Sequence, residues 1–207
     1  MALLLALLLA APAKDPARAI ARRIQAFYAQ TKDFSASFRQ HYTYVAIGRV
    51  EDSEGIVQVK KPGRVRWDYA KPDRRTLYIE DRTLWIWRPD DQEAQVKRNF
   101  GGDQLSSAFT FLWGKGNLLK EFSPKAVPTP QGLPQGEGLE LTPLKPTPGV
   151  HKLLFVVGKD GQVLASVVTN SQGDVNQIVF SEAKANQGLP DSLFHFTPPK
   201  GAYVQEL

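Results

Sequence analysis

The 207 residues suffice for one domain with a real core, and 42% hydrophobic against 23% charged residues excludes an intrinsically disordered chain. The absence of cysteine excludes disulfides, thiol nucleophiles and Cys-based metal sites, and leaves no residue for an N-terminal lipid anchor. A net charge of +5 suits anionic headgroups or an acidic partner, and equally suits plain solubility.

Met1 to Ala11 is almost wholly Ala and Leu, and Ala11-Pro12-Ala13 has the small-x-small character of a processing site. The apolar run is only about half the ~20 residues of a membrane-spanning helix. Residues 1–13 therefore read as an export signal peptide, with a short buried helix as the competing reading, and residues 14–207 as one domain. Asp15-Pro16 is a helix start, because Asp caps free N–H groups and Pro suits the first helical position. Ile20, Ile24 and Phe27 follow at helical spacing, with Arg22 and Arg23 elsewhere on the wheel; this predicts an amphipathic helix from about Ala17 to Thr31.

From Phe34 the period becomes two. Phe34, Ala36 and Phe38 alternate with Ser35 and Ser37; Gly55, Val57 and Val59 with Ile56, Gln58 and Lys60; Val65, Trp67 and Tyr69 with Arg64, Arg66 and Asp68. Turn signals at Glu54-Gly55, Pro62-Gly63, Pro72-Asp73 and Asp81-Arg82 separate these runs, as in an antiparallel meander that curls toward a barrel. After a break near Gly101-Gly102-Asp103, residues 104–119 carry Leu105, Ala108, Phe109, Phe111, Leu112, Trp113, Leu118 and Leu119, split by Gly114 and Gly116 into two short helical pieces. Residues 123–148 hold seven of the 15 prolines and read as an exposed irregular loop with one edge strand around Leu139 to Leu141. Leu153 to Val157, Val163 to Thr169 and Val175 to Phe180 are strands, joined by hairpin turns at Gly158-Lys159-Asp160-Gly161 and Ser171-Gln172-Gly173-Asp174. Leu193-Phe194-His195-Phe196 is a strand-like tail ending at Pro198-Pro199.

Catalytic patterns are hard to find. His41, His151 and His195 lie far apart with no metal-binding spacing, and no Gly-x-Ser-x-Gly elbow exists. The carboxylate pairs Asp52/Glu54 and Asp90/Asp91 read as solvated hairpin ends, and Gly101-Gly102 lacks the Lys and Ser/Thr of a phosphate loop. Lys60, Lys61, Arg64 and Arg66 lie near Trp67, but on the Arg64–Tyr69 run charges and aromatics fall on opposite parities, which breaks up a nucleic-acid stacking platform. What stands out is apolar: Trp67, Tyr69, Trp85, Trp87, Phe109, Phe111 and Trp113 crowd the middle third. That bulk either fills a dry core or lines a lipid cavity.

At Lys60-Lys61-Pro62-Gly63-Arg64-Val65-Arg66-Trp67-Asp68-Tyr69, followed by Pro72, the chain resembles the LolA family of periplasmic lipoprotein carriers. Asp33-Phe34-Ser35-Ala36-Ser37-Phe38-Arg39-Gln40 resembles the family's first strand. Thr83-Leu84-Trp85-Ile86-Trp87 with Pro89-Asp90 and Ala94-Gln95-Val96 resembles its central hairpin. Gly173-Asp174-Val175-Asn176-Gln177-Ile178-Val179-Phe180, Asn186 and Phe194-His195-Phe196-Thr197-Pro198-Pro199-Lys200-Gly201-Ala202 resemble its closing region. The blocks run in order across most of the chain, leaving only about Phe122 to Pro148 poorly covered.

The resemblance implies a mainly β fold with some α: an incomplete, unclosed antiparallel β-barrel covered by a helical lid. It implies a non-enzymatic periplasmic chaperone, a monomer without cofactor, metal or nucleic acid. Such a carrier takes acylated lipoproteins from the inner-membrane Lol ABC transporter to an outer-membrane LolB-like acceptor. Val57, Val59, Val65, Trp67 and Tyr69 would line the cavity, joined by Trp85 and Trp87 and by Phe111 and Leu112 of the lid. Tyr28 and Lys61 would gate that lid; the family usually has Arg where Lys61 stands, and an ammonium lacks its planar fork. A lipid-sensing module on the same fold would normally bring a second domain, and a lipid-processing enzyme would need a polar dyad at the cavity mouth.

Overall fold

A computed structural model of the chain describes residues 15–100, 116–146 and 149–207. The expected export segment and Phe109, Phe111, Leu112 and Trp113 of the apolar insertion lie outside them. Helix α1 (Pro16–Gln30) starts as expected, with the Asp15 carboxylate accepting from the Arg18 N–H at 3.1 Å. Ala17, Ile20, Ala21, Ile24 and Tyr28 form its buried stripe.

Strands follow in two groups: β1 (Asp33–Tyr44), β2 (Arg49–Lys60), β3 (Arg64–Lys71), β4 (Arg75–Glu80), β5 (Thr83–Arg88) and β6 (Glu93–Lys97); then, after one helical turn α2 (Leu118–Glu121), β7 (Phe122–Val127), β8 (Glu137–Pro143), β9 (Lys152–Val157), β10 (Val163–Thr169), β11 (Val175–Ala185) and β12 (Tyr203–Glu206). They form one 12-stranded sheet in the order β12-β6-β5-β4-β3-β2-β1-β11-β10-β9-β8-β7. Every pairing is antiparallel except β12 on β6. β7 and β12 are the two outermost strands and do not pair with each other, so the barrel is unclosed.

Residues directly opposed across a ladder share a face, which sorts the core. On the face that carries α1, the helix stripe packs with Leu139, Leu141, Leu153, Phe155, Val157, Val163 and Val168 over β8–β10. Tyr28 fixes this contact: its hydroxyl accepts from the Val163 N–H at 3.3 Å. Gly161 beside it lies so close to the helix that an added Cβ would sit 2.4 Å from the Arg23 carbonyl oxygen. A second cluster on the same face holds Phe34, Ala36, Phe38, Val57, Val59, Trp67 and Ile178.

Three expectations need correction. Glu54-Gly55 is not a turn; both lie inside β2, where a register shift against β3 gives the chain its irregularity without reversing it. Residues 123–148 are not one loop with one edge strand. Leu139 and Leu141 are fully buried in β8, between β7 and β9, and the true edge is β7, where Pro124 costs no ladder donor on the open side. The tail at residues 193–196 is not a strand. A 3₁₀ turn (Asp191–Leu193) leads into irregular chain, and β12 does the pairing instead; Pro190, Pro198 and Pro199 flank the stretch and lack the donors that would extend a ladder on either side of it.

A polar clamp ties the start of β1 to the end of β11. The buried Asp33 carboxylate accepts from the N–H of Gln187 (2.7 Å) and Gly188 (3.0 Å), while Asn186 Oδ1 accepts from the Lys32 N–H (2.7 Å). Asp33→Ala is expected to lower the unfolding free energy by about 2 kcal/mol, the scale of hydrogen bonds to a charged group. Urea unfolding checks this, and a change within about 0.5 kcal/mol would make the clamp ornamental.

Candidate functional site

The strand registers build a three-row surface on the helix side of β1–β5. Phe34, Val59, Val65, Ile79 and Leu84 form one row; Ala36, Val57, Trp67, Leu77 and Ile86 the next. Every side chain in these two rows is apolar. Phe38, Gly55, Tyr69 and Arg75 form the third, and beyond it the face turns polar, with Gln40 Nε2 donating to Asn176 Oδ1 at 2.8 Å. Phe34, Ala36, Phe38, Val57, Val59, Trp67 and Ile79 are buried, whereas Gly55, Val65, Tyr69, Leu77, Leu84 and Ile86 are half-buried. Phe38 holds the aromatic centre, its ring 5.1 Å edge-on from both Trp67 and Tyr69.

Five of the sequence-derived lining residues, Val57, Val59, Val65, Trp67 and Tyr69, therefore share this surface. Trp85 and Trp87 do not. They pair with Tyr78 and Thr76, on the opposite face, because Leu84 and Ile86 take the helix side of β5. There Phe196 of the C-terminal tail covers them, stacked on Tyr78 at 4.8 Å and lying 5.6 Å and 5.7 Å from Trp85 and Trp87. A pocket of about 190 Å³ on that face runs between Tyr78, Trp85 and Phe194 to His195. Leu84-Trp85-Ile86-Trp87 is apolar on both parities, so only the register decides which set faces which way. Leu77, Ile79, Leu84 and Ile86 were missed for the same reason. Phe111 and Leu112 lie outside the described residues.

Tyr28 and Lys61 meet at the junction of helix and sheet. The Lys61 ammonium donates to the Tyr28 carbonyl oxygen in the last turn of α1, a place where a cation also complements the helix dipole. The Lys61 N–H donates to the Lys32 carbonyl at 2.9 Å. Burial pushes the Tyr28 phenol up and the Lys61 ammonium down, each away from its charged form. The Tyr28 ring also meets Phe34 at 6.3 Å, joining α1 to the first apolar row.

The polar groups are dispersed. His41 pairs with Asp52 on β2 at 2.7 Å, and His195 with Glu80 at 3.2 Å. His151 stands exposed just before β9. Asp52 and Glu54 sit within β2 rather than at a hairpin end, and Glu54 pairs with Lys71 at 2.9 Å. Asp90 lies in the β5–β6 turn, where a hydrogen bond from Arg74 holds its carboxyl below the usual range. Among the described residues no three His, Cys, Asp or Glu converge as a metal site, and no helix is long and apolar enough to cross a membrane.

Comparison with known proteins shows the family of the chain. The family model described as outer membrane lipoprotein carrier protein LolA matches residues 29–197. An outer-membrane lipoprotein carrier protein of Chromobacterium violaceum is 32% identical over 196 residues, covering 95% of this chain and 90% of that protein. One of Dechloromonas aromatica is 29% identical over 179 residues, covering 86% and 83%. Among solved structures, the Mycobacterium tuberculosis lipoprotein LppX superposes with a TM-score of 0.51 over 86% of this chain and 99% of that chain; at 10% identity the likeness is one of fold. The chain belongs to the LolA family of outer-membrane lipoprotein carrier proteins.

Proposed function

We propose that the apolar rows on β1–β5 shelter the acyl chains of lipoproteins. Val57, Val59, Val65, Trp67 and Tyr69 form the floor, with Phe34, Leu77, Leu84 and Ile86 extending it. The supporting observation is two consecutive rows without one polar side chain, in which Val65, Leu77, Leu84 and Ile86 of β3–β5 are only half-buried. Each acyl CH₂ left in water costs roughly 0.8 kcal/mol, so a lipoprotein crosses an aqueous compartment only with its tails covered. In this reading the protein works in the periplasm and catalyses no reaction. It takes cargo from the inner-membrane Lol ABC transporter and passes it to a LolB-like outer-membrane acceptor.

Purification from the periplasm, followed by mass spectrometry of what co-purifies, tests the reading. Acylated polypeptide is the expected companion. Failure to take up an acylated peptide when the pure protein is offered one in detergent-free solution would overturn it.

Tyr28 and Lys61 act in this scheme as the tie between α1 and the sheet. Lys61→Met removes a charged donor from the Tyr28 carbonyl, worth about 1.5 kcal/mol at the low end of such bonds. Amide hydrogen exchange in the last turn of α1 should rise about tenfold. Unchanged exchange would mean that the tie does not hold the helix. Lys61→Arg restores a donor and should restore protection.

A further inference from the structure

Arg75 opens β4 at the polar end of the apolar rows. Its partner across β3 is Tyr69, and its guanidinium carbon lies 4.1 Å from the centre of the Tyr69 ring. The other half-buried arginines of β3–β5 are all neutralised: Arg64 by Glu80 (3.2 Å) and Asp191 (3.6 Å), Arg66 by Asp68 (2.8 Å), Arg88 by Glu93 (3.5 Å). Arg75 is half-buried too, yet among the described residues no carboxylate lies within 4.0 Å of it. The acid whose charge reaches Tyr69 from β2, Glu51, is held by Arg49 at 3.0 Å.

A cation partly withdrawn from water, with only the ring and the neutral hydroxyl of Tyr69 against it, lacks the anion that its desolvation calls for. Its position adds direction. The row of Phe34 and Val65 lies four residues along β3 from the row of Tyr69 and Arg75, roughly 13 Å at strand spacing. An amphiphile laid on this surface would have apolar contacts along its tails and one guanidinium at its head.

We propose that Arg75 binds the phosphate of a phospholipid headgroup whose acyl chains lie along the rows, so that anionic phospholipid is a second class of ligand beside acylated polypeptide. The planar guanidinium presents paired N–H donors that match phosphate oxygens. The proposal rests on reading the rows as an acyl-chain site, and its test separates the two.

Binding of dioctanoyl phosphatidylglycerol, dioctanoylglycerol and inorganic phosphate to the full chain is followed by tryptophan fluorescence and calorimetry. The variants are Arg75→Gln and Arg75→Lys, each checked by thermal melting. The wild type should prefer phosphatidylglycerol to dioctanoylglycerol by at least about tenfold, one charge-assisted contact. Arg75→Gln should abolish that preference and Arg75→Lys should keep part of it. Equal binding of the two lipids by the wild type, or a preference that survives in Arg75→Gln, overturns the proposal while leaving the carrier reading intact. Inorganic phosphate binding as tightly as the phospholipid overturns it in favour of a simple anion site. Failure of both lipids and of acylated peptide to bind the wild type overturns the acyl-chain reading itself.

Discussion

Trp67→Glu should weaken capture of acylated polypeptide by about a hundredfold or more, some 2.7 kcal/mol, while Trp85→Glu should leave it intact. Trp67 is 7% exposed and stands at the centre of the middle row, between Val57 and Leu77, with Phe38 against its ring. A carboxylate there finds only apolar side chains in its row and in the next one toward Phe34. An uncompensated polar group in such surroundings costs about 1–3 kcal/mol in mutational data, and loss of the indole removes contact area for a tail as well. The same burial burdens folding, so Leu77→Glu is the companion variant. It alters the same row at a half-buried position, where the stability cost is smaller but the effect on cargo should be the same. Circular dichroism and size exclusion establish that each variant is folded; a pull-down with a purified lipoprotein measures capture. Full capture by folded Trp67→Glu and Leu77→Glu would remove this face as the site, and loss in Trp85→Glu would move it to the other face.

The largest stability effect is expected from a glycine. Gly55→Ala should lower the unfolding free energy by about 3 kcal/mol, the upper end of what overpacking costs. An added Cβ would sit 1.8 Å from the carbonyl oxygen of Asp68 and 3.0 Å from Phe38 Cε1. The first obstacle is backbone on the neighbouring strand and cannot rotate away, so β2 and β3 must separate where Glu54 and Gly55 shift register. Urea unfolding with an unchanged slope gives the value. A loss below about 1 kcal/mol would mean that the ladder yields there more easily than its geometry indicates. Because Gly55 opposes Tyr69, a forced separation should also disturb the third row, and cargo capture is a second readout.

The sequence was most legible where one residue pattern had one structural solution. Asp15-Pro16 started α1, alternation marked β1 and β3, and apolar runs between hairpin turn signals marked β9 and β10. Asp81-Arg82 turned tightly, both residues at positive φ as a two-residue hairpin loop requires. It was least legible where partners decide. A Glu-Gly pair suits a turn, but Gly55 is needed because another strand's carbonyl lies against its Cα, a contact between residues 13 apart in the chain. Trp85 and Trp87 looked like cavity lining because they are large, yet Leu84 and Ile86 on the other parity were equally able to face inward. Leu139 and Leu141 sat in proline-rich surroundings, and their burial depends on β7, an edge strand that tolerates Pro124. Phe194 alternates with Phe196 as a strand residue would; it is fully buried without belonging to any ladder.

The failure of β7 to meet β12 has a mechanical consequence. In a completed cylinder, strand number and shear fix the girth, and widening it means tearing a seam of hydrogen bonds. A sheet with two free margins has no seam, and small changes in twist, shared among eleven ladders, can spread or draw in its walls with every backbone pair kept. In the proposed carrier role, a sheet of this kind adjusts to thick or slender loads by flexing.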